Sequence, residues 1–147
     1  MNLKNIITST AIASTLLASN VKSQDNLELN MSALTNQENT YQIDADAKLD
    51  IDLFDIYISG STIDREEDYL MFAGFKTSKC FEQGNLDITP YAKILLGLDN
   101  KKKDPNNFSY GLTVGYDISE KLNLGIDLRK VDNEDSPMFG LYFKIQN

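Results

Sequence analysis

Hydrophobic and polar residues alternate along the segment Phe108–Lys130, and this pattern recurs in the rest of the chain. Apolar side chains occupy the even positions on both sides of Ser119–Lys121, while Ser, Thr, Asn, Gly and charged residues fill the odd ones. A period of two residues is typical of a β-strand with one apolar face. The segment is therefore predicted to form two strands joined by a short reversal, which is an antiparallel hairpin.

The length of the reversal decides whether the hairpin has one apolar face. A two-residue loop would pair odd positions with even ones and place Tyr116 on the face opposite Leu124. A three-residue loop, Ser119–Lys121, keeps the apolar residues of both strands together. It predicts the pairs Ile118–Leu122, Tyr116–Leu124 and Val114–Ile126 on the apolar face, and Gly115–Gly125 and Thr113–Asp127 on the other. Large apolar residues on one side and glycines with charges on the other are typical of a membrane β-barrel wall.

The alternation extends over the rest of the chain and predicts seven clear strands. Their segments are 27–33, 41–58, 69–78, 86–98, 108–118, 122–130 and 139–145, and polar connections are predicted at 36–39, 60–68, 82–85, 99–107, 119–121 and 131–137. Bacterial barrels of this type have an even number of strands, so an eighth is expected between Asp25 and Gly60. The alternation changes phase at Phe54, which favours a turn near Asp46–Asp50; one long strand after an irregular N-terminus is the alternative. Pro90 lacks an N–H and is expected near a strand end or a bulge.

The glycines indicate that the polar face lines a narrow barrel. A soluble barrel or sandwich would also alternate, with its apolar face turned inward. Glycine weakens a solvent-facing strand, whereas the lumen of an eight-stranded barrel has space only for small, interlocking groups. Gly60 and Gly84 fall in predicted connections, and the polar face carries Gly74, Gly97, Gly111, Gly115, Gly125 and Gly140. We therefore predict an all-β fold, a small antiparallel up-and-down transmembrane barrel of eight strands.

Composition narrows the class of protein further. A chain of 147 residues suffices for one domain. The net charge of −8 argues against a general nucleic-acid-binding protein, because phosphate binding needs clustered lysine and arginine. With no histidine and one cysteine, neither a disulfide nor a histidine metal site is available within a monomer. No run of 18 apolar residues occurs, which excludes a helical membrane span.

Residues 1–23 have the pattern of a cleaved signal peptide, and residues 24–147 form the predicted β-barrel domain. Lys4 supplies a positive charge ahead of the short apolar stretch Ile6–Ala18. Small side chains precede the predicted cleavage site, which leaves Gln24 as the mature N-terminus. An ordinary N-terminal helix is the alternative interpretation.

In this pattern the chain resembles the small outer-membrane β-barrel proteins of the OmpX and Ail type, across residues 24–147. The most specific part of the resemblance is the ending, where apolar residues alternate back from the C-terminus, although Asn147 stands where the family has an aromatic residue. The alternating residues are Phe139, Leu141, Phe143 and Ile145. The resemblance implies localisation in the outer membrane, contact with its lipid and lipopolysaccharide, folding by the barrel-assembly machinery, and a monomeric state.

The sequence offers little catalytic chemistry. The barrel enzymes that resemble this fold, namely lipid A deacylases, palmitoyl transferases and outer-membrane proteases, use a histidine that this chain does not have. No enzyme activity, cofactor or metal site is therefore predicted. Carboxylate pairs such as Asp44 with Asp46 and Asp50 with Asp52 are interpreted as parts of a polar lumen, because charges excluded from water need partners. The expected balancing cations are Lys48, Lys76, Lys93, Arg129 and Lys144. A metal or acid–base site is the functional alternative for these carboxylate pairs. The predicted lumen network consists of Asp87, Lys93, Asp117, Asp127, Arg129 and Lys144.

Three local features can be interpreted either as ordinary structure or as functional sites. The run Lys101, Lys102 and Lys103 is typical of a solvated loop tip, and contact with lipopolysaccharide phosphates is its functional alternative. The acidic segments 64–68 and 132–135 could attract calcium, but neither has a spaced ligand loop. Cys80 is predicted to pack near a turn as a small hydrophobe.

Together these observations favour a non-enzymatic outer-membrane barrel with a structural or cell-surface interaction role. The alternative is a soluble exported β-barrel that binds a small apolar ligand. A diffusion porin is disfavoured, because eight strands do not leave an aqueous channel.

Overall fold

The computed structural model describes residues 28–49, 55–65, 68–98, 106–132 and 134–146. In these ranges the chain is all β, and every pair of neighbouring strands is antiparallel. The strands are β1 (Glu28–Thr35), β2 (Tyr41–Leu49), β3 (Asp55–Arg65), β4 (Asp68–Ser78), β5 (Phe81–Gln83), β6 (Leu86–Gly97), β7 (Asn106–Ser119), β8 (Leu122–Val131) and β9 (Met138–Gln146). The described residues contain no helix long and apolar enough to cross a membrane.

The strands close into one barrel. Neighbours in sequence pair with each other except β4 and β5, β1 also pairs with β9, and β4 pairs with β6 to complete the ring. The short β5 continues β4 in the same register, since Ser78 pairs with Tyr91 and Phe81 with Ile88. Pro90 lies opposite the break between them and has no N–H to donate, which accounts for the interruption. The wall is therefore an eight-stranded barrel, as predicted.

The eighth strand lies where the phase of the alternation changes. β2 ends at Leu49 and β3 begins at Asp55, slightly later than the predicted division at Asp46–Asp50. The prediction of a polar loop at 60–68 was wrong, because β3 continues to Arg65 and β4 begins at Asp68. Residues 60–62 lack large apolar side chains, yet their backbone pairs with β2 on one side and β4 on the other. Gly60 accordingly lies within a strand and not in a connection.

The hairpin of β7 and β8 has the predicted register over most of its length. The pairs Tyr116–Leu124, Gly115–Gly125, Val114–Ile126 and Thr113–Asp127 are confirmed. The predicted pair of Ile118 with Leu122 was wrong, because Ser119 pairs with Leu122 and the register shifts between Asp117 and Ser119. A bulge there accommodates the extra residue and tightens the reversal.

The apolar face points outward and the polar face points into the lumen, which is the reverse of a water-soluble protein. Large apolar side chains are exposed on β4 and on β6 through β9, among them Phe75, Ile94, Tyr110, Ile126, Leu128 and Leu141. Glycines let the strands approach closely on the lumen side: a Cβ added at Gly125 would lie 2.0 Å from the carbonyl oxygen of Val114. The turn predicted at 82–85 is shorter in the structure, since β5 continues to Gln83 and only 84–85 form the turn, with Gly84 at a φ of 65°.

The two ends of the barrel differ in what fills the lumen. We call the end that carries the connections 36–40 and 132–137 the outer end, and the end with the turns 84–85 and 120–121 the inner end. Two clusters of buried apolar side chains fill the lumen at the outer end: Ile63, Leu70, Phe72 and Leu95, and Leu34, Val131 and Met138. Charged and polar side chains occupy the middle and the inner end.

Candidate functional site

The middle of the lumen holds three carboxylates and three cations, which we call the central ion network. None of the six residues is more than 4% exposed. They are Asp44, Asp46, Lys76, Lys93, Asp127 and Arg129. Their formal charges cancel, as a set of ions withdrawn from water requires.

Asp44 and Asp46 connect this network across the lumen. They lie two positions apart on β2, so both side chains point inward. The ammonium group of Lys93 lies 2.8 Å from Oδ2 of Asp44 and 2.7 Å from Oδ1 of Asp46. β2 and β6 are separated by β3 and β4 in the sheet, so Lys93 joins strands that are not neighbours in the wall. Lys76 of β4 adds a second cation, 3.0 Å from Oδ2 of Asp46.

Arg129 joins the other side of the network. Its Nη2 lies 2.8 Å from Oδ2 of Asp127, and its Nη1 donates to Asp44. Its Nε donates to the Tyr91 hydroxyl at 2.6 Å, and that hydroxyl donates to Oδ1 of Asp127 at 2.6 Å. The guanidinium group also stands 5.3 Å from the centre of the Tyr91 ring, within the range of a cation–π contact. Arg129 is therefore held on every side and is not available to a ligand.

The inner end of the lumen is polar and more open. The ammonium group of Lys144 lies 2.6 Å from Oδ2 of Asp87, and the amide of Asn123 donates to the same oxygen at 3.1 Å. Asn123 also donates to Asp117 at 2.8 Å. Nearby, a polar cavity of about 150 Å³ is lined by Glu28, Lys48, Asp55, Tyr57, Cys80, Glu82 and Lys144, among others. A second polar pocket of about 340 Å³ lies beside it.

The six residues of the predicted lumen network fall into two groups in the structure. Lys93, Asp127 and Arg129 lie in the central ion network, and Asp87, Asp117 and Lys144 lie at the inner end. The sequence predicted that Asp44 and Asp46 face a polar lumen with cations such as Lys93, and the structure pairs both with Lys93. It did not predict which individual ions meet, because pairing across a lumen leaves no signal in the spacing. The other predicted pair, Asp50 with Asp52, lies outside the described residues. The run Lys101, Lys102 and Lys103 lies outside the described residues, as does the predicted signal peptide 1–23.

The described lumen provides neither a free carboxylate pair nor an apolar ligand cavity at its centre. Every carboxylate of the central ion network is within hydrogen-bonding distance of a cation. An apolar groove of about 620 Å³ lies instead on the outward side of the wall, where Tyr110, Leu112, Leu128 and Phe139 are among its lining residues. Within the part of the chain that the structure describes, this apolar groove is therefore on the outside of the barrel and not in its charged centre.

No protein-family model matches the chain, and no curated protein matches its sequence. Among solved structures, a de novo designed transmembrane β-barrel is similar with a TM-score of 0.60 at 13% identity, covering 83% of this chain and 95% of its own. The N-terminal β-barrel domain of Pseudomonas aeruginosa OprF has a TM-score of 0.57 at 12% identity, covering 84% and 98%. The Yersinia pestis outer-membrane protein Ail has a TM-score of 0.52 at 6% identity, covering 84% and 100%. The fold is that of the eight-stranded outer-membrane barrels, as the sequence resemblance predicted.

Proposed function

We propose that the protein is a non-enzymatic barrel of the bacterial outer membrane with a structural or cell-surface interaction role. The observation that carries the proposal is the reversed polarity of the closed wall. Large apolar side chains are exposed on the outer surface of β4 and of β6 through β9, while the charged residues of the central ion network are buried inside. Apolar area exposed on this scale in water would drive aggregation, and in a bilayer it faces hydrocarbon.

The dimensions of the wall support a membrane setting. β8 has ten residues, which at about 3.4 Å per residue and a tilt of about 40° rise about 26 Å along the barrel axis. The apolar band of outer-membrane barrels is about 25 Å tall, with aromatic residues near both interfaces. Exposed aromatic residues lie near the outer strand ends at Tyr41, Tyr110 and Phe139 and near the inner ends at Phe81, Tyr116 and Phe143.

The filling of the lumen argues against transport through the barrel. Apolar clusters occupy the outer end, and the central ion network spans the middle, where Lys93 and Arg129 reach Asp44 on β2. A solute would have to separate buried ion pairs to pass, at a cost of several kcal/mol for each uncompensated charge. The same filling weighs against the soluble alternative, because a carrier of apolar ligands needs an apolar cavity inside its barrel.

The described part of the rim at the outer end supports a surface role, because hydrogen bonds hold it together. Ser136 donates a hydrogen bond to Glu38 at 2.9 Å, which joins the connection 36–40 to residues 134–137. Within the first connection, the Asn36 side chain accepts hydrogen bonds from the backbone N–H groups of Glu38 and Thr40, at 2.9 and 3.0 Å. A rim held in this way presents a defined surface, which is what recognition of a partner or of a lipopolysaccharide headgroup requires.

Single cysteines in a Cys80→Ser background test which face meets lipid. The protein is folded into vesicles with a nitroxide at Ile126→Cys, a position that is 49% exposed on the outward face. This nitroxide should collide more often with lipid-soluble oxygen than with an aqueous nickel chelate. Thr113→Cys, on the buried face, should react slowly with a small water-soluble thiol reagent until the protein is unfolded.

The opposite pattern would refute the proposal. A nitroxide at position 126 that meets the nickel chelate as a free surface label does, in protein recovered without detergent, would describe a soluble barrel. Fractionation of the native cells gives an independent check, since a membrane barrel should require detergent for extraction.

A further inference from the structure

Three potential metal ligands meet at the inner end of the barrel, where β4, β5 and β6 adjoin. Cys80 lies in the break between β4 and β5, and Glu82 follows two positions later on the same face. Glu82 pairs directly with Asp87 across the β5–β6 ladder. One ligand atom of each residue lies within 4.8 Å of those of the other two. Sequence spacing alone gives no sign of this cluster, because only the hairpin brings Cys80 and Asp87 together.

Asp87 supplies an independent reason to expect a cation. The residue is only 4% exposed, and its Oδ2 already accepts hydrogen bonds from Lys144 and Asn123. Its Oδ1 is buried and has no hydrogen-bond partner in the described structure. Buried polar atoms are rarely left unsatisfied, and an orphan oxygen calls for an unseen water or ion. The carboxylate of Glu82 lies directly opposite Asp87, and like charges that face each other across a ladder repel. A cation between the two carboxylates would remove this repulsion.

We propose that Cys80, Glu82 and Asp87 form a binding site for Zn²⁺, a property separate from the proposed membrane role. Zinc accepts one thiolate and two carboxylate oxygens, and water can complete its tetrahedron. A thiolate ligand favours zinc over calcium or magnesium, which prefer sites made of oxygen atoms.

The geometry needs only a small adjustment. Tetrahedral bonds of about 2.3 Å to sulfur and about 2.1 Å to oxygen place the ligand atoms about 3.4–3.6 Å apart. The three atoms, now within 4.8 Å of one another, would each move by about 1 Å or less. Glu82 is exposed and Cys80 is half-buried, so both side chains have room to move. The hydrogen bonds from Lys144 and Asn123 hold Oδ2 of Asp87, as supporting groups do for ligating carboxylates.

The charges also suit a divalent cation. A thiolate and two carboxylates carry three negative charges, and Lys144 beside Asp87 offsets one of them. Zn²⁺ would neutralise the remaining two. The bound ion would join β5 to β6 directly beside the gap that Pro90 leaves in the β4–β6 ladder.

The test uses the full mature barrel, folded in detergent micelles, reduced and freed of metal. Cd²⁺ serves as a probe because its bond to a thiolate absorbs in the ultraviolet, and Zn²⁺ is then titrated as a competitor. Added Zn²⁺ should remove the cadmium band progressively, and the excess of Zn²⁺ needed gives the ratio of the two affinities. Glu82→Gln should weaken Zn²⁺ binding by at least about tenfold, a loss seen even for residues that only support a ligand.

The matched control is Glu120→Gln, which removes an exposed acid that lines the same polar pocket as Glu82 but lies outside the cluster. It should leave Zn²⁺ affinity unchanged, because diffuse negative charge is not the proposed cause of binding. Equal weakening by both substitutions would overturn the proposal. So would a Zn²⁺-induced rise in the urea midpoint of unfolding that is as large in Cys80→Ser, which has no thiolate band, as in the wild type. Added Zn²⁺ should also raise the urea midpoint of unfolding for the wild type and not for Glu82→Gln; a rise of equal size in both would count against the site.

Discussion

Replacing Lys93 with methionine removes the cation on which the central ion network depends. The Lys93 side chain is fully buried, and its ammonium group lies within 2.8 Å of one carboxylate oxygen of Asp44 and 2.7 Å of one of Asp46. Methionine keeps most of the volume and leaves the network with three carboxylates and two cations. Because one buried charge is then uncompensated, we expect the free energy of unfolding to fall by about 3–5 kcal/mol.

Two further variants separate the charge effect from a general loss of packing. Lys48→Met removes a lysine that is 34% exposed and paired with Asp55 at 2.6 Å, so water screens the pair and we expect a loss of about 1 kcal/mol or less. Adding Asp44→Asn to Lys93→Met restores neutrality and leaves Lys76–Asp46 and Arg129–Asp127 as intact pairs. The double variant should therefore be more stable than Lys93→Met alone, with a coupling of about 1–3 kcal/mol.

Urea unfolding in detergent micelles measures these differences. The chain has no tryptophan, so the far-ultraviolet circular dichroism of the strands is the signal of choice. If the variants share the same dependence of unfolding free energy on urea concentration, the differences between their midpoints give the changes in unfolding free energy directly. The reasoning fails if Lys93→Met costs no more than Lys48→Met, or if adding Asp44→Asn makes Lys93→Met still less stable.

Three other predictions concern separate parts of the chain. The N-terminal sequence of the membrane-associated protein should begin at Gln24; recovery of the uncleaved chain in the cytoplasm would refute export. Replacing Lys101, Lys102 and Lys103 with glutamine should leave folding intact and weaken binding to anionic vesicles at low salt, by about 1 kcal/mol for each lysine near the surface; unchanged low-salt binding would favour a solvated loop tip. Gly125→Ala should lower the unfolding free energy by about 1–3 kcal/mol, because its Cβ would meet the backbone of β7 at 2.0 Å. Gly84→Asn, in the left-handed turn where an added Cβ meets nothing within 4 Å, should have little effect, and equal stability of the two glycine variants would contradict the argument.

The sequence predicted the fold well because alternation encodes the register and the face of each strand. The pairing of Tyr116 with Leu124 followed from one requirement, that both remain on the apolar face. The same requirement could not predict the strand at 60–65, because Gly60, Ser61 and Thr62 provide no apolar face. Their backbone still pairs on both sides, so closure of the barrel, which no local pattern records, decides the conformation.

The sequence predicted that the lumen is polar and charged, but it did not predict which side chains contact each other there. Alternation assigns Asp44, Lys93 and Arg129 to the polar face, yet their partners come from strands far apart in sequence. Which ions meet depends on the stagger of the strands and on the lengths of the side chains across the lumen. The cluster of Cys80, Glu82 and Asp87 was missed for the same reason: the cysteine was interpreted alone, without the strand beside it.

The outer-membrane location that we propose would explain the charged lumen through a constraint that export places on a sequence. A chain that crosses the inner membrane unfolded cannot carry an apolar run of about 20 residues, which would insert as a helix. Alternation meets this constraint, and the mean hydropathy of the chain is −0.33 although its folded outer surface is apolar. The polar residues in between must then fill a lumen too narrow for bulk water, where each charge needs a partner. The central ion network meets that need with three acids and three bases, whereas six acids and only three lysines line the two inner-end pockets. The excess of acids at the inner end is where a bound cation would lower the energy of the folded barrel.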